Sequence, residues 1–216
     1  MLAGTEWHDA DAHVVLADAW VRYAAVPRVE ALTRAAERRA HAGHVMEQLF
    51  GDSVRGWRLA LSRAAPGSPG VACAVAPELL DGVRAVTAAA RLRVRSLQPQ
   101  LIAAYNHWRQ ALPDEDCWFV SMDGGTLAAA QLAAGGWSEV RSVRIGTDWD
   151  VELRRLRTFG RLAAGNDGSS RVFVDAPAMA CDAADDADDG LRILRAGTAA
   201  GVGTLGQLLS ERGAPP

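Results

Sequence analysis

Residues 117–145, which read CWFVSMDGGTLAAAQLAAGGWSEVRSVRI, constrain the fold more than any other part of the chain. They form three apolar segments of strand length, separated only by short turns at 123–125 and 135–136. Both turns contain glycine, which tolerates the positive φ angles that a tight hairpin requires. This stretch therefore predicts a three-stranded antiparallel meander.

Elements on either side of the meander alternate between strand and helix patterns. Before residue 113, the patterns predict strands at 14–26, 57–61, 71–75 and 92–97, and helices at 29–50, 77–90 and 99–112. After the meander, they predict a helix at 149–162 and strands at 171–174 and 191–194. The polar stretch 113–116 marks a boundary between units 1–112 and 113–216, and the glycine- and alanine-rich tail 196–216 is expected to be flexible.

The chain contains no lysine, and all 23 of its basic residues are arginine. A P-loop requires a lysine at the phosphates, a protein kinase requires one on its third strand, and Schiff-base enzymes require an amine nucleophile. The sequence excludes these three classes. With a formal net charge of −3, it also gives no electrostatic reason to expect nucleic-acid binding.

Composition predicts a cytoplasmic globular protein. The chain has 216 residues, 49% of them hydrophobic, and no apolar run approaches the roughly 18 to 20 residues that span a bilayer. Its first residues are acidic, so we expect neither a signal peptide nor direct membrane insertion. The three cysteines are far apart and form no CxxC pair, which is typical of buried thiols in a reducing compartment.

The most informative polar motif is the first turn of the meander, which contains Asp123, Gly124, Gly125 and Thr126. A carboxylate beside backbone N–H groups at a strand end could face a nucleotide phosphate and its magnesium ion. A plain hairpin turn uses the same residues, because Asp-Gly is a strong hairpin signal. Sequence alone leaves both interpretations open and favours the plain turn.

Other motifs give weaker signals. Residues 201–206 match GxGxxG, but too little chain follows for a dinucleotide-binding unit. The acidic stretch 181–190 lacks the ligand pattern of a calcium loop and is expected to be a solvated loop. Histidines at 8, 13, 41 and 44 have no cysteine nearby, so no metal site is predicted. No GxSxG motif occurs, and no catalytic residue is assigned.

Arg91, Arg93 and Arg95 alternate along the predicted strand at 92–97. Residues two apart on a strand share a face, so these arginines could bind an acidic partner. A solvated strand face has the same pattern, and it is the interpretation that we favour.

Together, the element order and three stretches resemble the actin-like ATPase fold. The stretches are VVLADAWVRYAAVP at 14–27, VACAVAPELLDGVRAVTAAARLRVRSLQPQLIAAYN at 71–106 and WFVSMDGGTLAAAQL at 118–132. The resemblance is to the branch that contains the pilus assembly protein PilM and the secretion protein GspL. It implies an α/β protein of two RNase H-like, actin-like half-domains, 1–112 and 113–216, with mixed sheets and flanking helices.

Two departures from this family bear on function. The first glycine hairpin of the family has no counterpart in the sequence, so the resemblance implies a truncated N-terminal half. Residues 175–177 (Asp-Ala-Pro) stand where the family has a glycine pair, and their side chains would crowd an adenosine. The resemblance therefore implies a degenerate relative that works by binding and has no bound cofactor.

Three functional hypotheses follow. The first is a non-catalytic scaffold or adaptor that binds an inner-membrane component of a pilus or secretion assembly, by strand addition at a sheet edge or in a cleft. The second is an active ATPase that binds ATP and magnesium at Asp123, Gly124, Gly125 and Thr126. The third is a metabolic enzyme of unrelated α/β fold.

Overall fold

The structure is a computed structural model that describes residues 8–62, 69–123, 125–133, 136–146, 151–152, 154–155, 158, 171–175 and 191–194. The chain contains both strands and helices, and 3₁₀ turns lie at Asp18–Trp20 and Gly51–Val54. The elements are β1 (Asp11–Leu16), β2 (Val21–Val26), α1 (Ala35–Phe50), β3 (Arg58–Leu61), β4 (Gly70–Val75), α2 (Pro77–Ala89), β5 (Arg93–Pro99), α3 (Gln100–Trp108), β6 (Cys117–Asp123), β7 (Thr126–Ala133), β8 (Gly136–Arg144), β9 (Arg171–Asp175) and β10 (Leu191–Leu194).

The strands form three sheets. Strands β1 and β5 pair in parallel, and β2, β4 and β3 form an antiparallel sheet in that order. The third sheet has the order β10-β9-β6-β7-β8. Its strands β6, β7 and β8 are the predicted antiparallel meander, which is confirmed, and β9 and β10 extend the sheet in parallel.

The predicted single strand at 14–26 is wrong, because the chain turns in its middle. Strand β1 ends at Leu16, the 3₁₀ turn Asp18–Trp20 follows, and β2 enters a different sheet. Side-chain bonds of Asp18 stabilise this turn: its Oδ1 accepts hydrogen bonds from the Tyr23 hydroxyl and from the Leu101 backbone N–H. A continuous apolar pattern could not reveal a bond to a residue so distant in sequence.

The helices agree with the predictions except at their ends. Helix α1 begins at Ala35 rather than at residue 29 and runs unbroken through Gly43. The Glu37 carboxylate accepts from the Arg34 backbone N–H at 3.1 Å, as in a capping box. Pro77 is the first residue of α2, as predicted. The predicted helix at 149–162 lies largely outside the described residues, and those described at 151, 152, 154, 155 and 158 are helical.

Helix α3 packs against one face of the five-stranded sheet. The Tyr105 ring makes edge-to-face contacts with Phe119 on β6 and with Trp137 on β8. The largest hydrophobic cluster includes these strands together with Val14 and Leu16 of β1. It therefore draws residues from both sides of the predicted boundary at 112/113, and the division into two units stays a prediction.

Candidate functional site

The turn between β6 and β7 is the first part of the candidate site. Asp123 and Thr126 are register partners across the hairpin. Gly125 has φ +82°, and its carbonyl accepts the Ile145 backbone N–H at 2.8 Å. A Cβ at this position would lie 3.3 Å from the Ile145 carbonyl oxygen. The turn itself thus requires glycine at 125, whether or not a ligand binds; Gly124 lies outside the described residues.

Polar side chains share one face of the sheet beside this turn. Directly paired residues project to the same side, so Thr126 shares its face with Asp123, and Asp175 on β9 shares its face with Ser121 on β6. Phe119 lies on that face as well, two and four positions before Ser121 and Asp123. We call Ser121, Asp123, Thr126 and Asp175 the polar face. It faces α3, because Tyr105 contacts Phe119.

Asp18 adds a carboxylate that the sequence prediction missed. Its side chain is 0% exposed, and while Oδ1 accepts two hydrogen bonds, Oδ2 has no partner among the described residues. The Ser121 hydroxyl is also buried, and the part of the chain that the structure describes offers it no hydrogen-bond partner. The only sign of this buried carboxylate in the sequence was an acidic residue within the otherwise apolar segment 14–26. Buried unpartnered oxygens are uncommon in folded proteins, so the two atoms mark this region as unusual.

Burial governs the ionisation of all three carboxyl groups. It raises the pKa of Asp18 to about 6, against the lowering effect of the bonds from Tyr23 and Leu101, and the nearby Asp123 charge raises this pKa further. Burial also raises the pKa of Asp123. It raises the pKa of Asp175 too, although a 3.0 Å hydrogen bond from the Trp108 indole N–H lowers it. No arginine contributes to the pKa shifts of these three carboxyl groups.

Among the described residues, no group of three or more His, Cys, Asp or Glu side chains is spaced to hold a metal ion. Two of the histidines considered in the sequence lie beside polar side chains of the protein: His13 Nδ1 is 2.7 Å from Ser96 Oγ, and His44 Nε2 is 3.0 Å from Gln48 Nε2. The GxGxxG motif and the acidic stretch 181–190 lie outside the described residues.

The arginine face predicted at 91–95 is only partly present. Arg91 has φ +52° and precedes β5, so it lies in the turn rather than on the strand. Arg93 and Arg95 both pair with Asp11, at 3.1 and 2.9 Å. Their charges are therefore partly compensated within the chain. In the described parts, no helix is long and apolar enough to cross a membrane.

Comparison with solved structures identifies the fold. A chain of the PilM–PilN type IV pilus biogenesis complex matches with a TM-score of 0.60 at 14% identity, over 84% of this chain and 69% of that chain. The chain has the actin-like fold. A *Bacteroides thetaiotaomicron* protein of unknown function with an actin-like ATPase fold matches with a TM-score of 0.50 at 8% identity, over 84% of this chain and 67% of that chain.

The cytoplasmic domain of EpsL, an inner-membrane component of the *Vibrio cholerae* type II secretion system, has a TM-score of 0.47 at 12% identity, covering 93% of this chain and 72% of that domain. No protein-family model matches the chain, and a search of curated proteins finds no relative. The match to the PilM–PilN chain, at a TM-score of 0.60, confirms the actin-like fold expected from the sequence. Among the described residues, the N-terminal parallel sheet has two strands and the C-terminal sheet has five.

Proposed function

We propose that this chain is a non-catalytic, cytoplasmic actin-like module that binds a protein partner in a pilus- or secretion-type assembly at the inner membrane. The similar structure named above belongs to a complex of PilM with PilN, a pilus biogenesis assembly. That likeness supports the class of partner and leaves its identity open. The module would reach the membrane through the partner, without inserting into it.

The burial, hydrogen bonds and raised pKa of two carboxyl groups support the non-catalytic part of this proposal. A magnesium–triphosphate site needs ionised, accessible oxygen ligands. Here the Asp18 carboxylate is fully buried and bound to Tyr23 and Leu101, and Asp175 accepts from Trp108. Burial raises the pKa of both carboxyl groups, which disfavours the ionised form that a metal ion requires. One oxygen of each carboxylate, Asp18 Oδ1 and Asp175 Oδ1, is already bonded to groups of the fold.

One observation favours the alternative, an ATP-binding module with magnesium at residues 123–126. Asp123 is only partly buried, and its carboxylate makes no hydrogen bond or ion pair among the described residues. A carboxylate in this state beside a glycine turn is free to meet a hydrated magnesium ion. Asp123 is therefore the residue on which the two proposals differ.

Thermal unfolding with and without magnesium ATP tests the choice. A ligand at about a hundred times its dissociation constant adds about 2.7 kcal/mol to the free energy of unfolding. For a chain of this length, that would raise the unfolding midpoint by about 5 to 10 °C. We expect no rise. A rise that Asp123→Ala abolishes and the exposed control Asp81→Ala retains would overturn the non-catalytic proposal in favour of nucleotide binding.

The partner part needs its own measurement. Co-expression with a candidate inner-membrane component of a pilus or secretion assembly, followed by detergent extraction and size-exclusion chromatography, should give a co-eluting complex. Separate elution of the two proteins with every such candidate from the same genome would contradict the proposal, irrespective of the nucleotide result.

A further inference from the structure

A β-bulge gathers polar side chains on one face of the β1–β5 pair. Asp11 of β1 pairs with Arg93 of β5. Farther along, His13 pairs with Ser96 rather than with Arg95, which is the extra residue of the bulge. Paired residues project to the same side of a sheet, so Ser96 lies on the face that also carries Arg93. In a regular strand Ser96 would lie on the opposite face, and bulges commonly re-aim side chains in this way.

The Asp11 carboxylate holds both arginines on this face. Arg93 Nε lies 3.1 Å from Asp11 Oδ1, and Arg95 Nε lies 2.9 Å from Asp11 Oδ2. The hydrogen bond from Arg95 lowers the pKa of Asp11, so the carboxylate is ionised at neutral pH. Both contacts are made by Nε atoms, and each guanidinium has further N–H donors on its terminal nitrogens. We call Asp11, His13, Arg93, Arg95 and Ser96 the basic face.

The basic face is accessible and has an excess of positive charge. The side chains of Arg93 and Arg95 are 59% and 54% exposed. One carboxylate cannot neutralise two guanidinium groups, so a positive charge remains. Just before the two strands, the Asp9 backbone N–H donates to the Arg91 carbonyl at 2.9 Å. The side chains of these two residues add one charge of each sign and leave the balance unchanged.

The exposed donors of the basic face suit carboxylates. The terminal N–H groups of a guanidinium match the two oxygens of a carboxylate, and such charged hydrogen bonds are stronger than neutral ones. Because Asp11 fixes two guanidinium groups beside each other, the face can accept more than one carboxylate of the same ligand. Near them, the exposed His13 has Nδ1 2.7 Å from Ser96 Oγ, which adds polar groups to the face.

We propose that the basic face binds an acidic segment of a protein partner through the carboxylates of its aspartate and glutamate side chains. The sequence alone favoured a solvated strand face at Arg93 and Arg95. The bulge and the shared Asp11 are the added observations, because they fix both guanidinium groups in place before any ligand binds. This inference rests on the proposed function, and it gives the partner a chemistry and the contact a location.

Binding of a synthetic acidic peptide to the full chain, measured by isothermal titration calorimetry, tests the inference. The probe alternates glutamate and serine, and the control peptide has glutamine in place of every glutamate. We expect the probe to bind at low ionic strength and to bind less tightly as salt is added, because both partners are exposed charges. We expect no binding of the glutamine peptide.

Charge variants of the chain sharpen the test. Arg93→Gln combined with Arg95→Gln should weaken binding of the probe by at least about fivefold. The matched control combines Arg55→Gln with Arg84→Gln, which removes the same charge from two exposed arginines that each pair with an aspartate on another element. This control should change the affinity by less than about twofold, because salt screens distant exposed charges.

Modification of arginine by phenylglyoxal, mapped by mass spectrometry, locates the contact on the unaltered chain. The probe at about twice its dissociation constant should slow the modification of Arg93 and Arg95 by about threefold. The modification of Arg84 should not change. Since this measurement needs no variant, it decides the question even where the double variant does not fold.

Four results would overturn the inference: equal binding of the two peptides, equal losses in the two double variants, protection of arginines other than Arg93 and Arg95, or stronger protection of this pair by a short oligothymidylate. The last would make nucleic-acid phosphates the ligand.

Failure of the proposed function has a different outcome. Protection of Arg93 and Arg95 by the acidic peptide without co-elution of any assembly component would contradict the assembly role alone. Co-elution of a partner that is equally complete with the Arg93 and Arg95 double variant would overturn the present inference alone.

Discussion

The five-stranded sheet and the two-stranded sheet bury their residues very differently. Strands β6, β7 and β9 contribute to two hydrophobic clusters, one on each face, because their odd and even positions are both apolar. Strand β5, by contrast, has three exposed residues at its start, and the first three residues of β1 are exposed or half-buried. The comparison teaches that the inner strands of the C-terminal sheet are buried on both faces, whereas the N-terminal pair is exposed at its start and reaches the shared core through Val14 and Leu16.

The largest expected effect comes from removing a ring of the C-terminal sheet. Phe119 is 0% exposed and contacts Tyr105. Phe119→Ala should lower the free energy of unfolding by about 3 to 5 kcal/mol, because it removes buried apolar area and leaves a cavity. Val15→Ala, in half-buried β1, should cost less than about 1 kcal/mol. Urea unfolding measures both, and equal losses would show that the two sheets do not differ in this way.

The meander and Pro77 could be predicted because their signals are local. Glycine turns and alternating apolar segments can be recognised from a few neighbouring residues. A proline at the first position of a helix can likewise be predicted without tertiary information. The resemblance to actin-like proteins also depended on such local patterns in their order along the chain. These local patterns were sufficient to predict the actin-like fold without knowledge of any tertiary contact.

What the sequence did not reveal depends on contacts between distant residues. The Asp18 carboxylate binds the backbone of Leu101, and Trp108 binds Asp175. The two residues of each pair are too far apart in sequence for a local sequence pattern to reveal their contact. The apolar run around Asp18 predicts one continuous strand. Of the candidate site, Asp123 and its turn were predicted, but the parallel pairing of β6 with β9 that brings Asp175 beside Ser121 was not.

Asp18 provides the second prediction, which tests the connection between the two regions. Folding raises its pKa from 3.8 to about 6, so between these values the folded state holds a proton that the unfolded state has lost. Its contribution to stability is therefore present below about pH 4 and is lost as the pH rises through about 6, by up to about 3 kcal/mol. This sign is opposite to that of an ion-paired carboxylate.

Asp18→Asn should remove this pH dependence, since an amide oxygen can still accept from Tyr23 and Leu101 but does not titrate. Urea unfolding of the chain and the variant between about pH 4 and pH 7 measures the difference. Asp81→Asn is the matched control, because Asp81 is exposed and pairs with Arg84 at 2.9 Å on the surface. Identical pH profiles of the chain and Asp18→Asn would show that burial of Asp18 does not control its protonation.

The smallest expected effect compares one substitution in the two regions. Gly125→Ala in the C-terminal hairpin introduces a Cβ at φ +82°, 3.3 Å from a backbone oxygen, and should cost about 1 to 2 kcal/mol. Gly43→Ala in α1 adds a Cβ with no atom within 4 Å and should stabilise by about 0.5 to 1 kcal/mol, because alanine loses less backbone entropy in a helix. Thermal unfolding should thus move the two midpoints in opposite directions. If Gly125→Ala does not change the midpoint, the turn tolerates a side chain. Close approach of a ligand is then the remaining physical reason for glycine at this position, and this result would favour the nucleotide-binding alternative.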